Sequence, residues 1–80
     1  MDTDKAIKTR INEILKEKGI SLTALCLNSN ITPSTIFDFM SGKSKCPKVI
    51  TIKKLCAGAN ITLAEFFNRD YFNDFEDIFN

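Results

Sequence analysis

Between Ser34 and Lys48 the chain gathers side chains suited to recognition rather than to reaction. Ser34 and Thr35 carry hydroxyls that both donate and accept, Asp38 offers a carboxylate that only accepts when ionised, and Phe37 brings an aromatic face. Lys43, Lys45, Lys48, Lys53 and Lys54 follow, and no acid interrupts them between Gly42 and Leu55. A lysine segment of this kind is either an ordinary solvated surface or a clamp for phosphate groups, and its density favours the clamp.

Catalytic and metal-binding classes find no support. The chain has no His, hence no Ser/His or Cys/His pair, and it has neither a Gly-rich phosphate loop nor paired carboxylates at a working spacing. Cys26, Cys46 and Cys56 are odd in number, stand 20 and 10 residues apart, and match no zinc pattern. Cys26 and Cys56 lie on apolar helix faces and read as small buried hydrophobes. Cys46 is expected exposed among lysines, where a redox role is conceivable. Unpaired thiols suit a reducing cytoplasm. The N-terminal MDTDKAIKTR is charged, and no apolar run approaches the ~20 residues of a membrane span. No cofactor and no small-molecule ligand is implied.

Helices must position these groups. Ile7, Ile11, Ile14 and Leu15 recur at helical spacing and predict a first helix over Thr3 to Lys18, capped by Thr3 or Asp4 and closed by Gly19. Its outer face is read as Lys5, Lys8, Arg10, Asn12, Glu13 and Glu17. Ser21 caps a second helix carrying Leu22, Leu25 and Cys26, which stops near Asn30. Thr32 caps a third, with Pro33 in its first position, Ile36 and Phe39 turned inward, and Gly42 at its end. A fourth runs from Lys48 or Val49 to Ala59 with Val49, Ile52, Leu55, Cys56 and Ala59 on one side. Gly58 is a weak spot in it, and Asn60 ends it. Thr62 to Glu65 form a T-x-x-E capping box for a fifth, burying Leu63, Phe66 and Phe67. No strand-like alternation or internal repeat occurs, so the fold class is all-α.

The stretch SLTALCLNSNITPSTIFDFMSG, Ser21 to Gly42, resembles the helix-turn-helix of the phage repressor/Cro-type (Xre-like) transcriptional regulators. Cys26 stands where that family places a small residue at the helix crossing, and Ile31, Ile36 and Phe39 match its large apolar positions. Gly42-Lys43-Ser44-Lys45-Cys46-Pro47 is similar to its G-K-x-x-P-type loop, and Ile61 to Phe67 to its last core helix. The resemblance covers roughly Lys8 to Phe67 and implies a compact five-helix bundle of the lambda-repressor-like type. A short sixth C-terminal helix could follow. It implies further that Pro33, Ser34 and Asp38 face base edges of double-stranded DNA, with Ser21, Thr35, Lys43, Lys45 and Lys48 toward phosphates. Thr35 reads equally well as a shield for its helix. Chemically, Asp38 could accept from a cytosine amino group and Phe37 could touch a thymine methyl. Phe37 could equally be a core or protein-binding residue.

Charge divides the chain into two parts. Residues 1–69, the DNA-binding domain with its helix-turn-helix at 21–42, hold all 11 basic side chains against six acids, a net +5. Residues 70–80 hold only four acids, −4, which the total of +1 conceals. This tail also carries Tyr71, Phe72, Phe75, Ile78 and Phe79, too much apolar surface to leave in water. It either packs on the core or forms a homodimer interface through Tyr71, Phe72, Phe75 and Phe79, its acids then lying away from DNA. A homodimer suits an inverted-repeat operator and a repressor. The rival reading is a protein-interaction module of the same fold, anti-repressor or antitoxin-like, with little or no DNA binding.

Overall fold

The computed structural model describes residues 1–79; Asn80, the last residue of the tail, lies outside them. Six α-helices and a 3₁₀ turn follow in chain order, and no strand occurs among the described residues. Helix α1 is Thr3–Lys18, α2 is Leu22–Asn28, α3 is Pro33–Met40, α4 is Val49–Ala59 and α5 is Leu63–Phe67. The 3₁₀ turn is Asp70–Asn73 and α6 is Glu76–Phe79.

The helix ends explain why the elements fall where they do. Asp2, not Thr3 or Asp4, caps α1: it stands in extended backbone, and its carboxylate accepts from the Lys5 amide at 2.8 Å. Ser21 caps α2 by accepting from the Ala24 amide at 3.1 Å, and α5 begins with the reciprocal Thr62/Glu65 capping box. Thr32 holds the cap position of α3, but its hydroxyl makes no capping bond, contrary to expectation. Four residues have positive φ: Gly19 at 64°, Asn30 at 56°, Gly42 at 85° and Asn60 at 59°. Each follows a helix, and the next residue donates back into the last turn: Ile20 to the Leu15 carbonyl, Ile31 to Cys26, Lys43 to Asp38, and Ile61 to Cys56. This Schellman geometry satisfies carbonyls that a helix end otherwise leaves open.

The core gathers Ile7, Ile11, Ile14, Leu25, Cys26, Ile31, Ile36, Phe39, Ile52, Leu55, Cys56, Ala59 and Phe66. Three positions depart from the helical stripes. Val49 is 67% exposed, because burial in α4 begins at Ile52, one turn further in. Phe67 sits at the rim of the core, its ring edge-on to both Phe66 and Phe72. Arg10, assigned to the outer face of α1, is 3% exposed. It lies four residues from both Ala6 and Ile14, in line with the buried stripe. Its Nε donates to the Phe66 carbonyl at 2.7 Å and its Nη2 to the Glu65 carbonyl at 3.0 Å. Nη1 lies 3.5 Å from Glu13 Oε1 and 3.9 Å from Glu17 Oε1, within reach of charge attraction but without a hydrogen bond.

After α5 the chain runs back along α1 toward the latter's N-terminus. Arg69 meets Glu13 and Glu17, each at 3.3 Å, and the Tyr71 hydroxyl donates to Glu13 Oε1 at 2.6 Å. Phe72 packs against the core. Asp74 then pairs with the Met1 ammonium, and Asp77 Oδ2 accepts from the Thr3 amide at 2.9 Å and the Thr3 hydroxyl at 2.8 Å.

Gly58 proves to be a contact rather than a weakness. A Cβ there would lie 2.0 Å from Ser29 Oγ and 2.9 Å from the Ser29 amide nitrogen, so α4 crosses the end of α2 where only glycine fits. Helix propensity alone predicts that Gly58→Ala stabilises by about 1 kcal/mol. The crossing reverses the sign, to a loss of about 1–3 kcal/mol in urea denaturation. Ser29→Ala in addition should recover only part of it, because the backbone nitrogen remains in the way.

Tyr71 carries a pH prediction. Burial first, then its hydrogen bond to the Glu13 carboxylate, pushes its pKa from 10.0 up to about 12. The folded state therefore favours the neutral phenol. That contribution is complete below pH 10.0 and is lost as pH rises through about 12. Ultraviolet titration of this single tyrosine should give a midpoint near 12, and Glu13→Gln should bring it back toward the ordinary value.

Candidate nucleic-acid interface

Helix α3 is pinned from behind. Ile36 and Phe39 are buried at 0% and 1% exposure, and Ile31 in the preceding turn closes the same side. Pro33 supplies the fixed φ of the first turn. The opposite face is then open by geometry, and Ser34, Thr35, Phe37 and Asp38 are all exposed there. The Phe37 ring, 46% exposed, is thereby excluded from the core. Pro33 is only half-exposed, in a shallow notch with Leu27, Asn30, Ile31 and Thr32, so it stands at the edge of this face rather than on it.

The lysine segment is tied to the same helix. The Asp38 carbonyl accepts from the amides of Lys43 at 2.8 Å and Ser44 at 3.2 Å, and from the Ser41 hydroxyl at 3.2 Å. Further on, Cys46 is half-buried against the core, not exposed as expected, with the Asp4 side chain beside its thiol. Burial first, and Asp4 next, pushes that thiol above its ordinary pKa, which removes the basis for a reactive thiolate. Between these two anchors the side chains of Lys43, Lys45 and Lys48 project into solvent. Among the described residues no ion pair engages them, nor Lys53 or Lys54.

One feature of this surface was not read from the sequence. Lys48 is the cap residue of α4, and no side chain caps that helix. The Thr51 and Ile52 amides donate to the Lys48 carbonyl at 3.0 and 3.1 Å, which leaves the amides of Val49 and Ile50 as the uncapped donors at the start of α4. Exposed amides at a helix start next to an ammonium are chemically suited to a phosphate oxygen. The only sequence signal was a residue unable to accept a hydrogen bond at a capping position. The Thr32 hydroxyl, also uncapping, is likewise free at the start of α3. Ser21 is exposed; its oxygen accepts from Ala24, which leaves the hydroxyl proton for an outside acceptor.

The aromatic tail divides. Tyr71 and Phe72, both read as dimer contacts, are engaged with Glu13 and the core of their own chain. Phe75, Ile78 and Phe79 are exposed at 56%, 66% and 82%. No helix of the described residues is long and apolar enough to cross a membrane.

A family model described as Helix-turn-helix matches residues 11–66, from the middle of α1 through Phe66 of α5. No curated protein and no solved structure matches the chain.

Proposed function

The chain belongs to the helix-turn-helix family of Xre/lambda-repressor-like DNA-binding transcription regulators, and from that premise we propose that it is a sequence-specific repressor acting through α3 in the major groove. The observation that carries the reading is one continuous surface: the polar face of α3, fastened through the Asp38 carbonyl to lysines that form no ion pair among the described residues. In this arrangement Ser34, Phe37 and Asp38 meet base edges, with Pro33 at their margin. Asp38 suits a cytosine amino group and Phe37 a thymine methyl. Lys43, Lys45 and Lys48, with the first amides of α4, hold phosphates. Ser21 and Thr35 flank them. Phosphate contacts set affinity and register, and base contacts set the choice of site.

One α3 covers too few base pairs for useful specificity. We therefore propose a two-fold homodimer that sets two copies of α3 about 34 Å apart on an inverted repeat, in the cytoplasm, where its operator would be. The exposed Phe75, Ile78 and Phe79 of α6 supply the apolar surface for part of that interface. Tyr71 and Phe72 support it from within their own chain.

A specific observation speaks for the rival protein-interaction reading: the open face of α3 has no Lys or Arg, and it carries a half-exposed Phe37 beside an acid. Titration of mixed-sequence duplex with salt separates the two. A regulator loses affinity steeply as salt rises, whereas an interaction module shows little DNA affinity at any salt.

Each of Lys43→Ala, Lys45→Ala and Lys48→Ala should weaken binding about equally on all sequences and lower the salt slope by ~1. A change in base preference with an unchanged slope contradicts the phosphate assignment. For the dimer, Phe75→Ser with Phe79→Ser should give monomers in sedimentation with an unchanged helical circular dichroism spectrum, since both rings are exposed. A dimer that survives this pair has its interface elsewhere.

A further inference from the structure

On the dimer reading alone the tail's acids would lie away from DNA, and in the folded chain its path delivers it to the N-terminal end of α1. There Asp77 is fastened to Thr3 by two hydrogen bonds of 2.9 and 2.8 Å. Asp74 is held by the Met1 ammonium, and its other oxygen accepts from the Glu76 amide at 3.0 Å. These bonds hold Asp74 and Asp77 below the usual carboxylate range, so both are ionised at neutral pH. Asp2 and Asp4 belong to the same helix end. Five carboxylates thus gather there: Asp2, Asp4, Asp74, Glu76 and Asp77.

That end of α1 borders the lysine segment. Asp4 lies close enough to raise the pKa of the Cys46 thiol, whose hydrogen bond goes to the Pro47 carbonyl at 3.6 Å, and Cys46 stands between Lys45 and Lys48 in the chain. One turn further along α1, the Lys8 ammonium sits 5.2 Å from the centre of the Phe39 ring of α3. The α1 N-terminus, the lysine segment and the inner side of α3 are therefore neighbours, and the docked tail adds three negative charges at their border.

We propose that the tail is an electrostatic brake on DNA binding: docked along α1, it adds Asp74, Glu76 and Asp77 to the negative charge at the end of α1 that borders the lysine segment, and so lowers the affinity of that surface for a polyanion. The proposal rests on the DNA-binding reading and adds a regulatory element to it. The fastening is uneven. The segment is held firmly at the far end by Arg69 and Tyr71 on Glu13 and by Phe72 on the core, and at the near end only by exposed polar contacts of Asp74 with Met1 and Asp77 with Thr3. Exposed contacts of this kind open at low cost, long before the bundle does. Whatever lifts α6 away from α1 carries its charge out of range, because exposed charges are screened beyond about 10 Å at 0.1 M salt.

The test uses the full chain and a labelled mixed-sequence duplex, read by fluorescence anisotropy over a range of salt. The variant Asp74→Asn/Glu76→Gln/Asp77→Asn removes the charges and also loosens the tail's contacts to Met1 and Thr3, and both effects take negative charge away from the end of α1. A unit charge at ~10 Å in water alters affinity for another about twofold before screening, so the triple variant should bind about fivefold tighter in dilute salt. The gain should shrink as salt rises. A matched pair separates placement from net charge. Glu76→Gln and Asp70→Asn each remove one negative charge, but Asp70 stands at the other end of the segment, next to Arg69. Glu76→Gln should tighten binding more. A triple variant that binds no tighter than the parent overturns the brake. So does a gain that ignores salt, or an equal gain from Asp70→Asn; in all three the DNA reading survives. If the triple variant binds and the parent does not, the brake is supported in its strongest form. If neither binds DNA at any salt, the DNA-binding reading falls, and the brake falls with it.

Discussion

A single buried cation, the guanidinium of Arg10, ties the end of α5 to α1 and orders the acids on which the following segment docks. Burial of a full charge is strongly unfavourable unless partners surround it. Here two carbonyls at the end of α5 accept from it, and Glu13 and Glu17 balance its charge. The arrangement is reciprocal. Helix α5 has only five residues, too few to persist alone, and its final carbonyls carry the negative end of its dipole. Arg10 satisfies them, and so fixes Phe66, the largest side chain beside Phe39 with essentially no exposure. Glu13, held in place by Arg10, in turn receives Arg69 and Tyr71. Lysine could not replace this arginine, because the two carbonyls use two separate donors of one planar group.

The surface of α3 depends on that packing only at one remove. Its polar face is exposed because Ile36 and Phe39 are not, and these two are held by a core that α1, α4 and α5 enclose. The lysine segment is positioned by backbone atoms. Asp38 contributes its carbonyl to the loop and keeps its carboxylate for the outside, so one residue serves both the fold and the exposed face of α3.

Helix limits were legible in the sequence because they are set locally. Gly19, Asn30, Gly42 and Asn60 all stand in left-handed backbone where their positions after apolar stripes required it, and the Thr62/Glu65 box formed as spaced. The exposed set on α3 was legible by subtraction of Ile36 and Phe39. What escaped was non-local. Arg10 reads as surface by residue type, and only its alignment with Ala6 and Ile14 betrays burial. Gly58 reads as a poor helix former until Ser29, 29 residues earlier, is brought against it. Tyr71 reads as part of a stripe for the dimer or the core until Glu13 appears under its hydroxyl, 58 residues away. The amides of α4 escaped for another reason: a missing cap leaves no positive mark in a sequence.

The four helix stops close within six residues, whereas the bond from Arg10 to Phe66 joins groups 56 residues apart. The two kinds of contact belong to different stages of folding. Turns and helix ends can form on the microsecond scale of local structure, and the docking of α5 on α1 has to wait for the loop between them to close. Contacts completed after the barrier govern how fast a protein comes apart rather than how fast it assembles. Loss of the Arg10 network is therefore expected to speed unfolding more than it slows folding, and changes at Gly19, Asn30, Gly42 and Asn60 to do the reverse.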